Sequence, residues 1–118
     1  MSEMKVLKVK YVVWASNASR ALSFYRDAFD GKITLQTPHW NEVEVAGATI
    51  GVHPGGAGKT TWTGMSFQVE DVRVGVAAVL AAGGALRKEP EEEDGFIHLA
   101  MCADTEQNEF MLTAKRPG

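Results

Sequence analysis

Three histidines and one cysteine are the side chains of this 118-residue chain that are most suited to chemistry. His39, His53 and His98 are spaced too widely for the H-x-H or H-x3-H patterns that bind a metal. His53 could act as a general base, because an unperturbed imidazole titrates near neutral pH, although a turn histidine is the alternative. Cys102 has no acid–base neighbour in the sequence and is predicted to be a small core residue.

Composition excludes several kinds of partner. The net charge is −3 and no stripe of lysine and arginine is present, so nucleic acid is not expected to bind. No apolar run is long enough to span a membrane. Residues 1–11 alternate lysine with apolar side chains, which predicts a strand and not a signal peptide. A single cysteine excludes an intramolecular disulfide and favours the cytoplasm.

The elements that must position these residues repeat along the chain. In the first half, alternation predicts a strand over 5–15, and a helix is expected between the N-cap residue Asn17 and Gly31. Three short strands should follow, at 32–37, 40–45 and 48–53. In the second half the corresponding pieces are a strand at 64–71, a helix at 71–84, and strands at 85–90, 96–104 and 108–113.

This order is βαβββ in both halves, and the two N-cap residues Asn17 and Asp71 are separated by 71 − 17 = 54 positions. We expect an α+β fold in which two βαβββ modules form a curved sheet, with helices outside, around a concave cavity. The whole chain, 1–118, would be one domain. Module 1 would cover about 5–54, a glycine-rich linker 55–62, and module 2 about 63–115.

Strand alternation predicts which side chains line the concave face, because successive residues of a strand point to opposite sides. The residues predicted to contact a ligand are Lys10, Trp14, His53, Gln68, Glu109 and Met111. Trp14 would either stack on a flat ligand or fill the mouth of the cavity or a dimer seam. Lys10 would either hold a carboxylate or phenolate or form an ion pair with Glu109.

Three segments of the chain resemble one known family. They are SNASRALSFYRDAFDG (16–31), FQVEDVRVGVAAVLAAGG (67–84) and DTEQNEFMLT (104–113). Together they resemble the vicinal oxygen chelate superfamily, which includes glyoxalase I, bleomycin-resistance proteins and extradiol dioxygenases. The last segment departs from the frequent D-P-x-G-N ending, since Thr105 and Gln107 replace the proline and the glycine. The resemblance implies the paired-module fold and a homodimer.

The resemblance also implies where a metal would be bound: on the first and last strands of each module. Those positions fall on Lys10, Gly51, Gly64 and Met111, which cannot supply an oxygen and nitrogen site. We therefore expect a binder of a small, partly apolar organic molecule, without a metal or other cofactor. The alternative is a metal-dependent lyase, isomerase or dioxygenase of the glyoxalase type, with a divalent metal held through His53, Glu109 and further groups that the sequence does not identify. A third possibility is a structural or regulatory dimer whose cavity is vestigial.

Overall fold

A computed structural model describes residues 3–116 as two helices and eight strands. Met1 and Ser2, part of the segment predicted to open the first strand, lie outside the described residues. The first half contains β1 (Lys10–Ala15), α1 (Ala18–Phe29), β2 (Lys32–Gln36), β3 (Asn41–Val45) and β4 (Ala48–Pro54). The second half contains β5 (Thr61–Gln68), α2 (Val72–Ala81), β6 (Ala85–Lys88), β7 (Leu99–Ala103) and β8 (Asn108–Thr113). Within residues 3–116, neither helix has the length and apolar character needed to cross a membrane.

The strands form two four-stranded sheets with the same topology. Sheet A has the order β1-β4-β3-β2 and sheet B has the order β5-β8-β7-β6. In each sheet the first strand of the module runs parallel to the last, and the other pairs are antiparallel. The predicted α+β fold with two βαβββ modules is confirmed. The strands form two separate open sheets instead of one continuous sheet.

Each helix begins at a polar cap residue that the sequence pattern identified. The Asn17 side chain accepts a hydrogen bond from the backbone N of Arg20 at 3.0 Å. Asp71 accepts from the backbone N of Arg73 at 2.8 Å and of Val74 at 3.3 Å. These oxygens satisfy N–H groups that have no partner within the first helical turn.

Both helices lie against a core that the two sheets share. Phe24 and Phe29 of α1 contact Phe110 of sheet B, with ring centroids 6.1 and 5.7 Å apart, and Phe29 also stacks on Phe67 at 4.1 Å. The same helix covers buried residues of sheet A such as Val43. Helix α1 therefore packs on sheet A while its rings also contact sheet B. An aromatic α1 that is apolar on more than one side accounts for this arrangement.

One buried carboxylate joins the modules. Glu106, in the turn before β8, has a fully buried side chain that accepts hydrogen bonds from Arg20 Nε at 2.7 Å, Ser16 Oγ at 3.1 Å and the Asn17 backbone N at 2.9 Å. Burial alone would raise its pKa, but bonds from Arg20, Thr105 and the others outweigh burial and lower it to about 2. The start of α1 is thus fixed to module 2.

Two strand boundaries differ from the sequence prediction. β1 begins at Lys10, because the described residues 3–9 form no ladder with a neighbouring strand. β5 begins at Thr61, inside the stretch predicted to be linker. Pairing between β5 and β8 is irregular from Trp62 to Ser66, and Gly64 there has φ +77°, which only glycine adopts readily.

Candidate functional site

Each sheet has one face that the helices do not cover, and we call it the bare face. Registry places Lys10, Val12 and Trp14 of β1 beside Thr49, Gly51 and His53 of β4 on the bare face of sheet A. The bare face of sheet B contains Ser66 and Gln68 of β5, Glu109, Met111 and Thr113 of β8, and Leu99 and Met101 of β7.

An aromatic cluster occupies the bare face of sheet A. The indole of Trp14 stacks on the imidazole of His53, with ring centroids 3.9 Å apart and an angle of 23° between planes. Trp40, in the loop before β3, meets His53 edge-on at 6.0 Å. The Lys10 ammonium lies 5.6 Å from the centre of the Trp40 ring, within cation–π distance. Trp14 remains 54% exposed, so it offers a flat apolar surface to solvent.

A buried glutamate beside this cluster was missed by the sequence analysis. Glu42 of β3 accepts hydrogen bonds from Lys10 Nζ at 2.6 Å, Trp40 Nε1 at 2.7 Å and Lys8 Nζ at 3.2 Å. The bonds from Lys10 and Trp40, opposed by burial, lower the pKa of Glu42 to about 2. The alternation of Glu42 with Val43 in the predicted strand was the signal that could have placed it on this face.

Lys10 therefore forms an ion pair, but its partner differs from the predicted one. The sequence offered Glu109 as the partner, and the structure gives Glu42. Glu109 lies on sheet B, where its Oε2 is 3.3 Å from Arg87 Nε. Because Lys10 is about one-third exposed, it can still donate to a ligand on the bare face.

Gly51 lies directly under the Trp40 ring. A Cβ atom at Gly51 would be 2.4 Å from Cζ2 and 2.6 Å from Cη2 of Trp40, well inside van der Waals contact. The resemblance assigned a metal-ligand position to Gly51, but the indole now fills the space that a ligating side chain would need. The bond from Trp40 to Glu42 and the contact with His53 hold the ring in place.

The bare face of sheet B is less aromatic. Along β8, Glu109 and Met111 are half-buried and alternate with the buried core residues Phe110 and Leu112, as the predicted alternation requires. Ser66 Oγ and Thr113 Oγ1 lie 3.3 Å apart on this face. The surface is therefore mixed, with thioether, hydroxyl and amide groups.

The residues predicted to contact a ligand fall into two groups of three. Lys10, Trp14 and His53 lie together on the bare face of sheet A, and Gln68, Glu109 and Met111 lie on that of sheet B. The two groups thus lie on different sheets. Of the six, Trp14 borders a cavity of about 310 Å³ between β1 and the start of β5, and Gln68 borders a larger one that is also lined by residues of both helices.

The side chains present do not form a metal-binding set within the described chain. Among residues 3–116, no three His, Cys, Asp or Glu side chains lie close enough together to hold an ion. On sheet A, the Glu42 oxygens are engaged by three donors, and His53 Nδ1 lies 2.6 Å from the carbonyl of Pro54. The donor chemistry of this face fits hydrogen bonding and stacking, and it does not fit coordination of a divalent ion.

The other candidate side chains lie away from the bare faces. Cys102 is fully buried, as predicted, and burial raises its pKa to about 11, so it is not a nucleophile in this state. His39 is exposed in the loop between β2 and β3. His98 lies just before β7, within 3.4 Å of the Arg116 guanidinium.

Comparison with known proteins gives one family. The sequence model of the glyoxalase-like domain matches residues 10–113, which is most of the chain. No curated protein matches the sequence.

Solved structures show the same fold at low sequence identity. The chain is similar to the genomically encoded fosfomycin resistance protein FosX from Listeria monocytogenes, with a TM-score of 0.77 and 16% identity over 96% of each chain. It is similar to TnmS3, an antibiotic binding protein from Streptomyces sp. CB03234, with a TM-score of 0.70 and 19% identity over 98% of this chain and 100% of that one. It is also similar to a glyoxalase/bleomycin resistance protein/dioxygenase family enzyme from Burkholderia phytofirmans PsJN, with a TM-score of 0.71 and 18% identity over 89% of this chain and 95% of that one.

Proposed function

The chain belongs to the glyoxalase-like domain family, and on that premise we propose that it binds a small, partly apolar organic molecule without a metal ion. The observation that carries the proposal is the aromatic cluster of Trp14, His53 and Trp40 on the bare face of sheet A. An exposed, rigid indole already stacked on an imidazole is suited to receive a flat ring. Among the similar structures, one is named as an antibiotic binding protein and another as a fosfomycin resistance protein, which is consistent with small-molecule recognition.

Binding without metal follows from the side chains at the metal positions of the family. Trp40 fills the space over Gly51, and Lys10 is a cation that repels a metal ion. The remaining positions hold Gly64 and Met111, which provide no hard oxygen or nitrogen donor. Recognition would therefore rest on stacking, apolar contact and hydrogen bonds.

We further propose that the protein is a homodimer in which the bare face of sheet A in one copy opposes the bare face of sheet B in the other. Trp14 (54% exposed), Val12 (48%) and Leu99 (36%) leave apolar surface uncovered on these two faces of a single chain. Such a dimer would bring the two predicted groups together, with Lys10, Trp14 and His53 from one copy and Gln68, Glu109 and Met111 from the other. The reduced buried thiol of Cys102 suits a cytoplasmic setting.

The chemistry of the face favours a particular ligand class. Lys8 and Lys10 hold two positive charges against the single negative charge of Glu42, so an anionic group on the ligand can replace solvent at Lys10. The ring of the ligand would lie on Trp14. We expect a planar aromatic carboxylate or phenolate to bind more tightly than its neutral analogue.

The test is a titration of the dialysed protein with 2-naphthoate. Binding is measured by calorimetry and by the NMR signals of the indole N–H groups of Trp14 and Trp40. Trp14→Ala should weaken binding by about three- to tenfold, the range expected for loss of an aromatic contact. Leu80→Ala is the matched control, because Leu80 is half-exposed on α2 and borders neither cavity. Equal binding by wild type and Trp14→Ala would contradict the proposed site.

Metal analysis of the purified protein separates the proposal from the metal-dependent alternative. We expect no divalent ion at a stoichiometric level after dialysis. An ion that remains at one per chain and whose removal abolishes lyase, isomerase or dioxygenase activity would instead establish the enzyme.

A further inference from the structure

A large cavity of the protein lies beside both helices and is distinct from the aromatic cluster on the bare face of sheet A, although Ser66 and Gln68 from the bare face of sheet B also line it. It has a volume of about 790 Å³ and lies where four segments meet: the end of α1, the β3–β4 hairpin, the end of β5 and the start of α2. We call it the inter-module groove. Its size is within the range of small-molecule sites, which is about 300 to 1,000 Å³.

Apolar and aromatic side chains form the walls of the groove. The rings of Phe29 and Phe67 stack within it at 4.1 Å with only 9° between their planes. Met65 and Ile50 are buried and also line the groove. Tyr11 forms part of the wall while remaining 53% exposed, so the groove is open to solvent beside it.

The rim of the groove is acidic. Four of its described lining residues are carboxylates: Asp27, Asp30, Glu70 and Asp71. No lysine, arginine or histidine occurs among the described lining residues. Two of these are already engaged, since Asp27 pairs with Arg26 at 2.8 Å and Asp71 caps α2. Within residues 3–116, no hydrogen bond or ion pair engages the side chains of Asp30 and Glu70. Their charges are available to a ligand.

We propose that the inter-module groove is a second binding site, which takes a small organic cation with an aromatic or apolar body. The body would lie against Phe29 and Phe67, and the ammonium group would lie at the rim near Asp30 and Glu70. Cation and rim attract each other through unlike charge, and the electron-rich faces of Phe67 and Tyr11 add cation–π attraction. The groove shares Gln68 with the surface proposed for the dimer, but it does not include Lys10, Trp14 or His53, the group that favours an anion.

Three probes of one shape and different charge test the proposal: 2-naphthylmethylamine, 2-naphthylmethanol and 2-naphthoate. Each is titrated into the full-length protein and followed by NMR. The backbone amide signals of Phe67, Val74 and Gly75 report on the groove, and the indole N–H signals of Trp14 and Trp40 report on the bare face of sheet A. We expect the amine to move the groove signals with an affinity about two- to tenfold higher than that of the alcohol, as for one or two partly exposed ion pairs. The naphthoate should leave the groove signals in place.

Two sets of variants identify the groups responsible. Asp30→Asn/Glu70→Gln should abolish the preference for the amine over the alcohol, and the fold should be retained because asparagine tolerates the positive φ of 53° at position 30. Glu89→Gln/Glu91→Gln, on exposed residues that do not line the groove, is the control with equal charge change. Ala48→Trp adds bulk at an exposed lining position and should weaken both the amine and the alcohol.

Several outcomes would overturn the proposal. These are equal affinity for the amine and the alcohol, a preference that survives Asp30→Asn/Glu70→Gln, or amine shifts confined to Trp14 and Trp40. The two sites can fail separately. If naphthoate does not bind at Trp14, the proposed function is rejected and the proposal for the groove still stands. If the amine does not change the groove signals, only the second site is rejected.

Discussion

At the scale of single residues, the bare face of sheet A depends on the Trp40 ring, which occupies the space that a side chain at position 51 would need. Because Gly51 has no side chain, the indole can lie on the sheet, where its Nε1 donates to Glu42 at 2.7 Å. Glu42 in turn stays ionised between two ammonium groups and an indole. The result is a rigid surface for stacking at a position that could otherwise have carried a ligand for a metal.

Gly51→Ala should therefore destabilise the protein by about 1 to 3 kcal/mol, the usual cost of inserting a methyl group into occupied space. The Trp40 ring would have to move away and lose its bond to Glu42. In Trp40→Ala the space is already empty, so adding Gly51→Ala to it should cost much less than it does in the wild type. Chemical denaturation of the four proteins gives this coupling, and strictly additive effects would contradict the contact.

At the scale of elements, the turn between β7 and β8 fixes α1 to module 2. Besides the bonds of Glu106, the Tyr25 hydroxyl donates to Asp104 Oδ2 at 2.7 Å, and Asn108 Nδ2 donates to the Trp14 carbonyl at 2.9 Å. Burial raises the pKa of Tyr25 well above its ordinary value, and the negative charge of Asp104 adds to this. These polar contacts set how the two modules sit against each other.

Glu106→Gln should lower the free energy of unfolding by about 2 to 3 kcal/mol at pH 7, since a buried, multiply bonded carboxylate is replaced by an amide with fewer acceptor sites. The folded-state pKa of Glu106 is about 2 and lies below the unfolded value near 4.5. Its stabilisation is therefore complete above about pH 4.5 and is lost as the pH falls toward 2.

Urea denaturation between pH 2 and 7 checks this expectation. The difference between wild type and Glu106→Gln should shrink steadily below pH 4.5. The control is Glu92→Gln, which removes an exposed partner of Arg73 and should change stability by less than about 1 kcal/mol at every pH. A difference for Glu106→Gln that is independent of pH would contradict the assigned pKa.

The elements themselves could be predicted, because their signals are local. Only neighbouring residues determine two of these signals: the helix caps at Asn17 and Asp71, and the alternation of apolar residues along β1 and β8. The position of Trp40 over Gly51 and the ion pair of Lys10 with Glu42 join residues on different elements. Registry between strands decides such contacts, and a sequence does not specify registry residue by residue.

The contacts that α1 makes with both sheets could not be predicted for a related reason. Its aromatic residues Phe24, Tyr25 and Phe29 indicated a buried helix, but nothing in their spacing says which sheet each ring will meet. Only the folded chain brings Phe29 onto Phe67 of the other module.

At the scale of the whole molecule, the proposed dimer follows from the two uncovered sheet faces. The chain places its helices in the shared core and leaves one side of each four-stranded sheet without cover. Apolar side chains of β1 and β7 are exposed there. A second copy is the simplest cover, because the bare face of sheet A in each copy can cover the bare face of sheet B in the other.

Val12→Lys should convert the dimer to a monomer by placing a charge in the interface, where burial of an unpaired ammonium is costly. Light scattering after gel filtration should give about twice 12.8 kDa for the wild type and a single chain mass for the variant. Val74→Lys, on an exposed helix position outside the bare faces, is the control and should remain dimeric. A wild type that is monomeric at tens of micromolar would reject the dimer.

The tryptophans carry a spectroscopic consequence. All three, Trp14, Trp40 and Trp62, are absent from the buried core, whose aromatic members are phenylalanine and tyrosine. Indole emission from one folded chain should therefore be close in wavelength to that of the denatured chain, and it would follow unfolding poorly. Emission should shift to shorter wavelength when separate chains associate or when an aromatic ligand covers Trp14. The tryptophan fluorescence of this protein should therefore report association and ligand binding.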